Sequence, residues 1–279
     1  MKQVEIEGRK LPSIGFGTYP LTGNSCYQAV KAAIKTGYQI IDTATFYNNY
    51  DAVGKAIAEN RDELYLISKV WTDSQTAEKL EADLKNCLHA MKIDSLDCYL
   101  IHWPNSSVPI EETLGQMQAL QKQGLVKHLG ISNPSKNHLK RAQEVGVPIK
   151  WVQFEMHPEF CDFDVLAFCH KHKIGLQAWG PLGRGRLAKH SLLEKLGEKY
   201  SKTAAQIALR WITQHDCIPL PGSQNPDHIK DNFTIFDFTI DNEDMKKIDK
   251  QAANGTRETY AGLDEFDFTY EQCWPKRSS

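Results

Sequence analysis

Short apolar runs recur along the chain at residues 14–16, 39–42, 64–68, 96–101, 126–132, 151–154, 174–179 and 217–220, and most are separated by a helical pattern. Brief runs rich in Ile, Leu, Val and aromatic residues read as strands buried on both faces. The stretch between the third and fourth runs carries Leu80, Leu84, Cys87, Leu88 and Met91 at helical spacing, with Lys, Glu, Asp and Asn elsewhere, which predicts an amphipathic helix. Ser25-x-x-Gln28 and Thr203-x-x-Gln206 read as capping boxes at helix starts. Strand starts lie about 23 to 43 residues apart, room for a helix to cross over and return the chain parallel. Eight such units predict an α/β fold, a (β/α)8 TIM barrel. An open doubly wound sheet would begin with a glycine-rich G-x-G-x-x-G turn, and Gly15-Phe16-Gly17-Thr18 has no third glycine in phase.

Before the first run, residues 2–12 alternate Val4 and Ile6 around Glu7-Gly8-Arg9-Lys10 and predict an N-terminal β-hairpin closing the barrel floor. After the last unit a short C-terminal loop remains from Gly255 onward, with Phe266, Phe268, Tyr270 and Trp274. It either folds over the barrel mouth or packs on outer helices. The 279 residues suit a barrel of ~250, and no Pro/Gly/Ser-rich linker divides them, so a single domain over 1–279 is expected.

Charge and cysteine usage narrow the partners. The 33 Lys+Arg against 35 Asp+Glu give a formal charge of −2, without the basic field that nucleic acid or an acidic membrane requires. The seven cysteines are odd in number and contain no C-x-x-C, a pattern of reduced thiols in a cytosol. Residues 1–5 show no apolar leader and no run of ~18 apolar residues occurs, so a soluble cytoplasmic protein is expected and the sequons at Asn105, Asn232 and Asn254 are chance matches.

Active sites of parallel barrels lie at the carboxyl ends of the strands. The polar residues there are Asp42, Lys69, His102, Ser132, Asn133 and, at the seventh strand, Trp179, with Tyr47 in the loop after Asp42. Singly, a strand-end lysine is a solvated charge and a loop tyrosine a packing residue. Together they make a proton donor: Lys69 beside Tyr47 favours the phenolate, Asp42 holds Lys69, and the phenol can protonate a developing alkoxide. No metal site is expected, since His170 and His172 lie two apart on a helical pattern and there is no H-E-x-x-H.

Six blocks, Asp42-Thr-Ala-Thr-Phe-Tyr47, Ser68-Lys69-Val-Trp71, Leu100-Ile-His102-Trp-Pro104, Gly130-Ile-Ser-Asn133, Gln153-Phe-Glu-Met-His157-Pro158 and Trp179-Gly-Pro-Leu-Gly183, stand in an order that resembles the aldo-keto reductases along nearly the whole chain. The last block is similar to the microbial 2,5-diketo-gluconate reductase branch. The resemblance implies hydride transfer from NADPH or NADH to a small aldehyde, ketone or dicarbonyl, by a monomer. It implies a tetrad of Asp42, Tyr47, Lys69 and His102, with Tyr47 as general acid and His102 orienting the carbonyl.

It further implies that Ser132, Asn133 and Gln153 hold the nicotinamide carboxamide, that Trp179 stacks on the ring, and that Gly17, Thr18, Asp42, Gly180 and Leu182 border the cofactor. Tyr19, Tyr47, His102 and Trp103, with Phe46 and Leu182, would face the substrate. At the adenosine end, Gly222, Ser223, His228, Asp231 and Asn232 occupy the positions of the family's binding loop. Where many relatives carry Pro-Lys-Ser and then an arginine, this chain has Pro221-Gly222-Ser223 and His228, which makes NADH plausible because a 2′-phosphate calls for Lys or Arg. A Schiff-base aldolase acting through Lys69 is opposed by Tyr47 and by the Ser132, Asn133 and Gln153 set. A dinucleotide-binding redox sensor with slow turnover would keep the same tetrad and is the alternative function.

Overall fold

The structure is a computed structural model that describes residues 2–6 and 8–257. The aromatic tail with Phe266, Phe268, Tyr270 and Trp274 lies outside the described residues. An antiparallel hairpin of β1 (Gln3–Ile6) and β2 (Arg9–Pro12) opens the chain. The strands that follow are β3 (Phe16–Gly17), β4 (Ile40–Asp42), β5 (Tyr65–Val70), β6 (Leu96–Ile101), β7 (Val126–Ser132), β8 (Trp151–His157), β9 (Phe160–Cys161), β10 (Gly175–Trp179) and β11 (Cys217–Pro219). Apart from β9, which folds back on β8, each pairs parallel with the next. The curled sheet is joined end to end by Gly15 N–H to Pro219 O (3.0 Å) and Gly17 N–H to Pro221 O (3.1 Å). All eight predicted strand sites are occupied, and the fold is the (β/α)8 barrel.

The helices are α1 (Gly23–Thr36), α2 (Tyr50–Ile57), α3 (Ala77–Met91), α4 (Ile110–Lys122), α5 (Lys136–Glu144), α6 (Phe163–His172), α7 (Ser191–Tyr200), α8 (Ala204–Gln214), α9 (Pro226–Phe233) and α10 (Asn242–Ala253). None of the described helices is long and apolar enough to cross a membrane. Strand alternation sorts the core into two compartments. Ile41, Leu66, Val70, Tyr99, Ile101, Val152 and Phe154 face outward beneath the helices. Ile40, Ile67, Cys98, Leu100, Trp151, Ile218 and Leu220 face inward and form a separate cluster with Ile6 and Leu11. The hairpin therefore seals the floor with two apolar side chains, as its alternation predicts.

Capping shows where local patterns hold. Thr203 Oγ1 accepts from Gln206 N (3.2 Å) while Gln206 Oε1 accepts from Thr203 N (3.0 Å), closing the expected box ahead of α8. The Ser25 box does not form. Helix α1 begins at Gly23 with Thr22 as its cap, so Ser25 lies inside the first turn and its hydroxyl donates to Thr22 O (2.8 Å). A box that the Glu/Gln pattern misses starts α5, where His138 Nδ1 takes the Ser135 amide at 2.9 Å. On α3 the stripe Leu80, Leu84, Cys87, Leu88 and Met91 is buried as predicted, and Asp83 is buried with it.

Helices α2 and α3 meet at Gly54, where a β-carbon would sit 2.6 Å from the Met91 Cα and carbonyl oxygen. Gly54→Ala gains ~1 kcal/mol of helix propensity, but the overlap is with backbone that cannot rotate away. We expect a net loss of about 2 kcal/mol, measured as a lower guanidinium midpoint; an unchanged or higher midpoint refutes this close approach.

Candidate active site

Inward parity continues past the apolar layer and delivers a polar one at the mouth. Two residues beyond Ile40, Ile67, Leu100, Trp151 and Gly175 stand Asp42, Lys69, His102, Gln153 and Gln177, and Trp179 follows two beyond Gln177. Lys69 is fully buried, and its Nζ donates to Asp42 Oδ1 (2.6 Å), Thr43 O (3.0 Å) and the Tyr47 hydroxyl (3.3 Å). Three acceptors match the three hydrogens of an ammonium. Burial lowers the Lys69 pKa, and the Asp42 carboxylate opposes that shift. Asp42 Oδ2 accepts from Gln153 Nε2 (2.9 Å), whose second hydrogen goes to Gln177 Oε1 (3.0 Å). Gln153 is thereby left with its Oε1 as the group to offer a ligand.

Tyr47 ends a 3₁₀ turn, Thr45–Tyr47, that reverses at Asn48 with φ 51°. The Tyr47 ring meets Tyr19 at 5.1 Å and, edge-on, His102 at 5.6 Å between centroids. His102 follows β6 directly, and its amide donates to Val70 O (3.0 Å). Burial pushes its pKa well below the usual imidazole value, and the Lys69 charge adds to the effect, so a neutral ring faces Tyr47. Trp71 lies edge-on to His102 at 4.9 Å and stacks with Phe46 at 4.3 Å. Tyr19 and Phe46 are the most exposed of these rings.

Ser132 and Asn133 end β7 beside His102. Asn133, held at φ 57°, donates from Nδ2 to His102 O (2.9 Å) and Ser132 Oγ (3.0 Å). Its Oδ1 accepts from Trp179 Nε1 (2.7 Å) and from Arg257 at 3.5 Å. The half-buried Trp179 indole is thus pinned at the mouth, edge-on to Trp103 at 6.1 Å. Trp103 is buried against the Trp179 indole at the mouth. Leu182 packs partly against the outer core, and Gly180, at φ 61°, turns the chain after Trp179.

The adenosine-side residues gather where β3 meets the segment after β11. Thr18 is buried with its hydroxyl accepting from Asn49 Nδ2 (3.1 Å), so it supports the loop and leaves backbone to any ligand. A β-carbon on Gly222 would collide with Gly17 O, which is why no side chain fits there. Ser223 Oγ accepts from Asn225 N (3.1 Å), and Asn225 caps α9. His228 and Asp231 are exposed on α9, whereas Asn232 is buried. Trp71 and Gln177 were missed as site residues, although each falls two residues beyond an inward position, Lys69 and Gly175. Arg257 and the buried partners of Tyr47's turn carry no sequence signal. Among the described residues no group of three or more His, Cys, Asp or Glu could hold a metal.

A cluster of aromatic rings around a buried ammonium, a phenol and a neutral imidazole can protonate an oxygen while excluding water from the groups behind it. The residues also fit a nicotinamide dinucleotide: an indole face is held beside the tetrad, and Gln153 presents an acceptor. The family model for the aldo/keto reductase family matches residues 13–253. Glyoxal reductase of Bacillus subtilis (strain 168) is 37% identical over 247 residues, spanning 87% of this chain and 89% of that protein. Methylglyoxal reductase DkgA of Escherichia coli (strain K12) is 34% identical over 252 residues, 88% of this chain and 90% of that protein. A solved structure of a putative 2,5-diketo-D-gluconic acid reductase B superposes with TM-score 0.88 at 33% identity, covering 94% of this chain and 96% of that one. The chain belongs to the aldo/keto reductase family and is a carbonyl-reducing oxidoreductase.

Proposed function

We propose that this single barrel domain reduces small aldehydes, ketones and dicarbonyls to alcohols, with Tyr47 as the general acid. The observation that carries the reading is the fully buried Lys69 Nζ, which donates to the Tyr47 hydroxyl while anchored on Asp42 and Thr43. NADH or NADPH, when bound, would supply the hydride for the carbonyl carbon. Tyr47 Oη gives its proton to the carbonyl oxygen, and the nearby ammonium stabilises the phenolate left behind. His102, neutral, donates a hydrogen bond that orients the oxygen towards Tyr47. Ser132, Asn133 and Gln153 would hold the carboxamide, and Trp179 would cover the ring. A Schiff base is disfavoured because all three Lys69 hydrogens are engaged away from solvent.

Short dicarbonyls suit the rings of Tyr19, Phe46 and Trp71 around Tyr47 and His102, and they match the substrates in the names of the glyoxal and methylglyoxal reductases. For the cofactor we favour NADH. Gly222 has no room for a side chain, and at the exposed position 228 on α9 a histidine stands in place of the permanently charged arginine that a 2′-phosphate calls for.

Tyr47→Phe retains cofactor binding, read as quenching of Trp fluorescence, while kcat falls by about three orders of magnitude; near-wild-type reduction by the variant refutes the assignment. With methylglyoxal at equal cofactor concentrations, NADH turnover equals or exceeds NADPH turnover, and a large NADPH advantage overturns the preference. His102 predicts a stability effect with a definite sign. Its folded pKa is depressed, so the unfolded chain binds more protons as pH falls below the ordinary imidazole value, and stability is lost there. Between about pH 7.5 and 5.5 the wild type should lose about 1 kcal/mol more than His102→Gln in denaturant titrations; equal losses mean a titrating, solvated imidazole.

A further inference from the structure

Behind Tyr47 the layer between barrel and helices holds a cluster of hydrogen-bonded polar side chains. There α3 places Asp83 on its buried stripe, β6 turns Tyr99 outward, β5 turns Ser68 outward, and α2 begins with Tyr50. These side chains converge on Thr45, the first residue of the Tyr47 turn. Asp83 Oδ1 accepts from Thr45 Oγ1 (2.9 Å) and from the Tyr99 hydroxyl (2.5 Å). Thr45 Oγ1 lies 2.9 Å from the Tyr50 hydroxyl, which lies 2.6 Å from Ser68 Oγ. The same Thr45 hydroxyl also reaches the backbone carbonyl of Lys69 at 3.1 Å. A carboxylate at one end orders the chain: Ser68 donates to Tyr50, Tyr50 to Thr45, and Thr45 to Asp83, with the Lys69 carbonyl sharing the last hydrogen.

Such a network is costly to bury. Among the described residues no cation forms an ion pair with Asp83, and an apolar side chain at this place on α3 would continue the stripe of Leu80, Leu84 and Leu88 without that penalty. What the network holds is specific: one hydroxyl grips both the turn that carries Tyr47 and the strand that carries Lys69, the two residues whose side chains meet at 3.3 Å. That separation is near the limit of a hydrogen bond, so a small drift of the turn would break it.

We propose that Thr45, anchored by Asp83, is a positioning residue that sets Tyr47 against Lys69 for proton donation. The inference rests on the reading of Tyr47 as general acid, and the test separates the two. Thr45→Val lowers kcat by roughly tenfold to a hundredfold, with cofactor KM unchanged, and Thr45→Ser restores most of the rate. In the Tyr47→Phe background the same Thr45→Val change alters the residual rate by less than about twofold, because its effect runs through the absent phenol.

A single Thr45→Val variant within about twofold of wild type overturns the inference, as does a loss that persists undiminished in the Tyr47→Phe background. Near-wild-type reduction by Tyr47→Phe alone instead removes the general-acid reading, and this one with it. Should Thr45→Val not fold, the paired change Asp83→Leu with Tyr99→Phe removes the buried charge and its phenol donor together. It should unfold at the same or a higher denaturant concentration yet turn over roughly fivefold more slowly; unchanged turnover in that variant overturns the inference.

Discussion

The structure depends on one buried ion pair, Lys69 with Asp42, at the level where the barrel interior changes from apolar to polar. Taking both charges out of water costs several kcal/mol per ion, and mutual attraction alone offsets that poorly. The barrel meets the cost by saturating the pair: Thr43 O and the Tyr47 hydroxyl complete Lys69, and Gln153 completes Asp42. Two of these partners, Tyr47 and Gln153, are also residues to which the proposed reaction assigns work. The phenol and the amide that faces the mouth are therefore arranged around the need to stabilise one lysine. A barrel lacking that lysine would have little reason to hold a tyrosine turn and a glutamine chain in this register.

Strand parity connects this pair to the rest of the molecule. The inward set below it, Ile40, Ile67, Cys98, Leu100 and Trp151, is closed by Ile6 and Leu11 from the hairpin, which keeps water from reaching Lys69 from beneath. Glycines at the inward positions 130 and 175 leave the space that the Trp151 indole and the Leu100 side chain fill. An apolar plug of this kind supplies the low dielectric in which the Lys69 charge acts on Tyr47 and holds His102 neutral.

This organisation explains what could be read from the chain and what could not. The eight strands were legible because parallel strands buried on both faces leave continuous apolar runs, and Asp42, Lys69 and His102 because they sit at or just past the ends of those runs, with Tyr47 in the loop that follows Asp42. Gln177 and Trp71 were legible in principle from the same alternation. Asp83 and Thr45 were not: on α3 an aspartate among charged residues reads as solvent-facing, and only the register of α3 against β5 and β6 turns it inward. The Ser25 box failed because Gly23, at φ 52°, starts the helix three residues earlier than the Ser-x-x-Gln pattern requires.

The adenosine side obeys a different constraint from the mouth. The segment after β11 closes the barrel through Pro219 and Pro221, whose carbonyls accept from Gly15 and Gly17, and Gly222 follows in direct contact with Gly17 O. A lysine at that position could not be accommodated without moving the seam that closes the sheet. The missing cation is therefore a consequence of how tightly β3 and this segment approach, and the loss of phosphate-binding charge is coupled to barrel closure. A cation to bind a 2′-phosphate would have to come from α9, where His228 and Lys230 are exposed and where substitution leaves the seam untouched. Charge that can be added on the adenosine side thus lies on a helix surface, apart from the barrel core that fixes Lys69, Asp42 and Gln153 at the mouth.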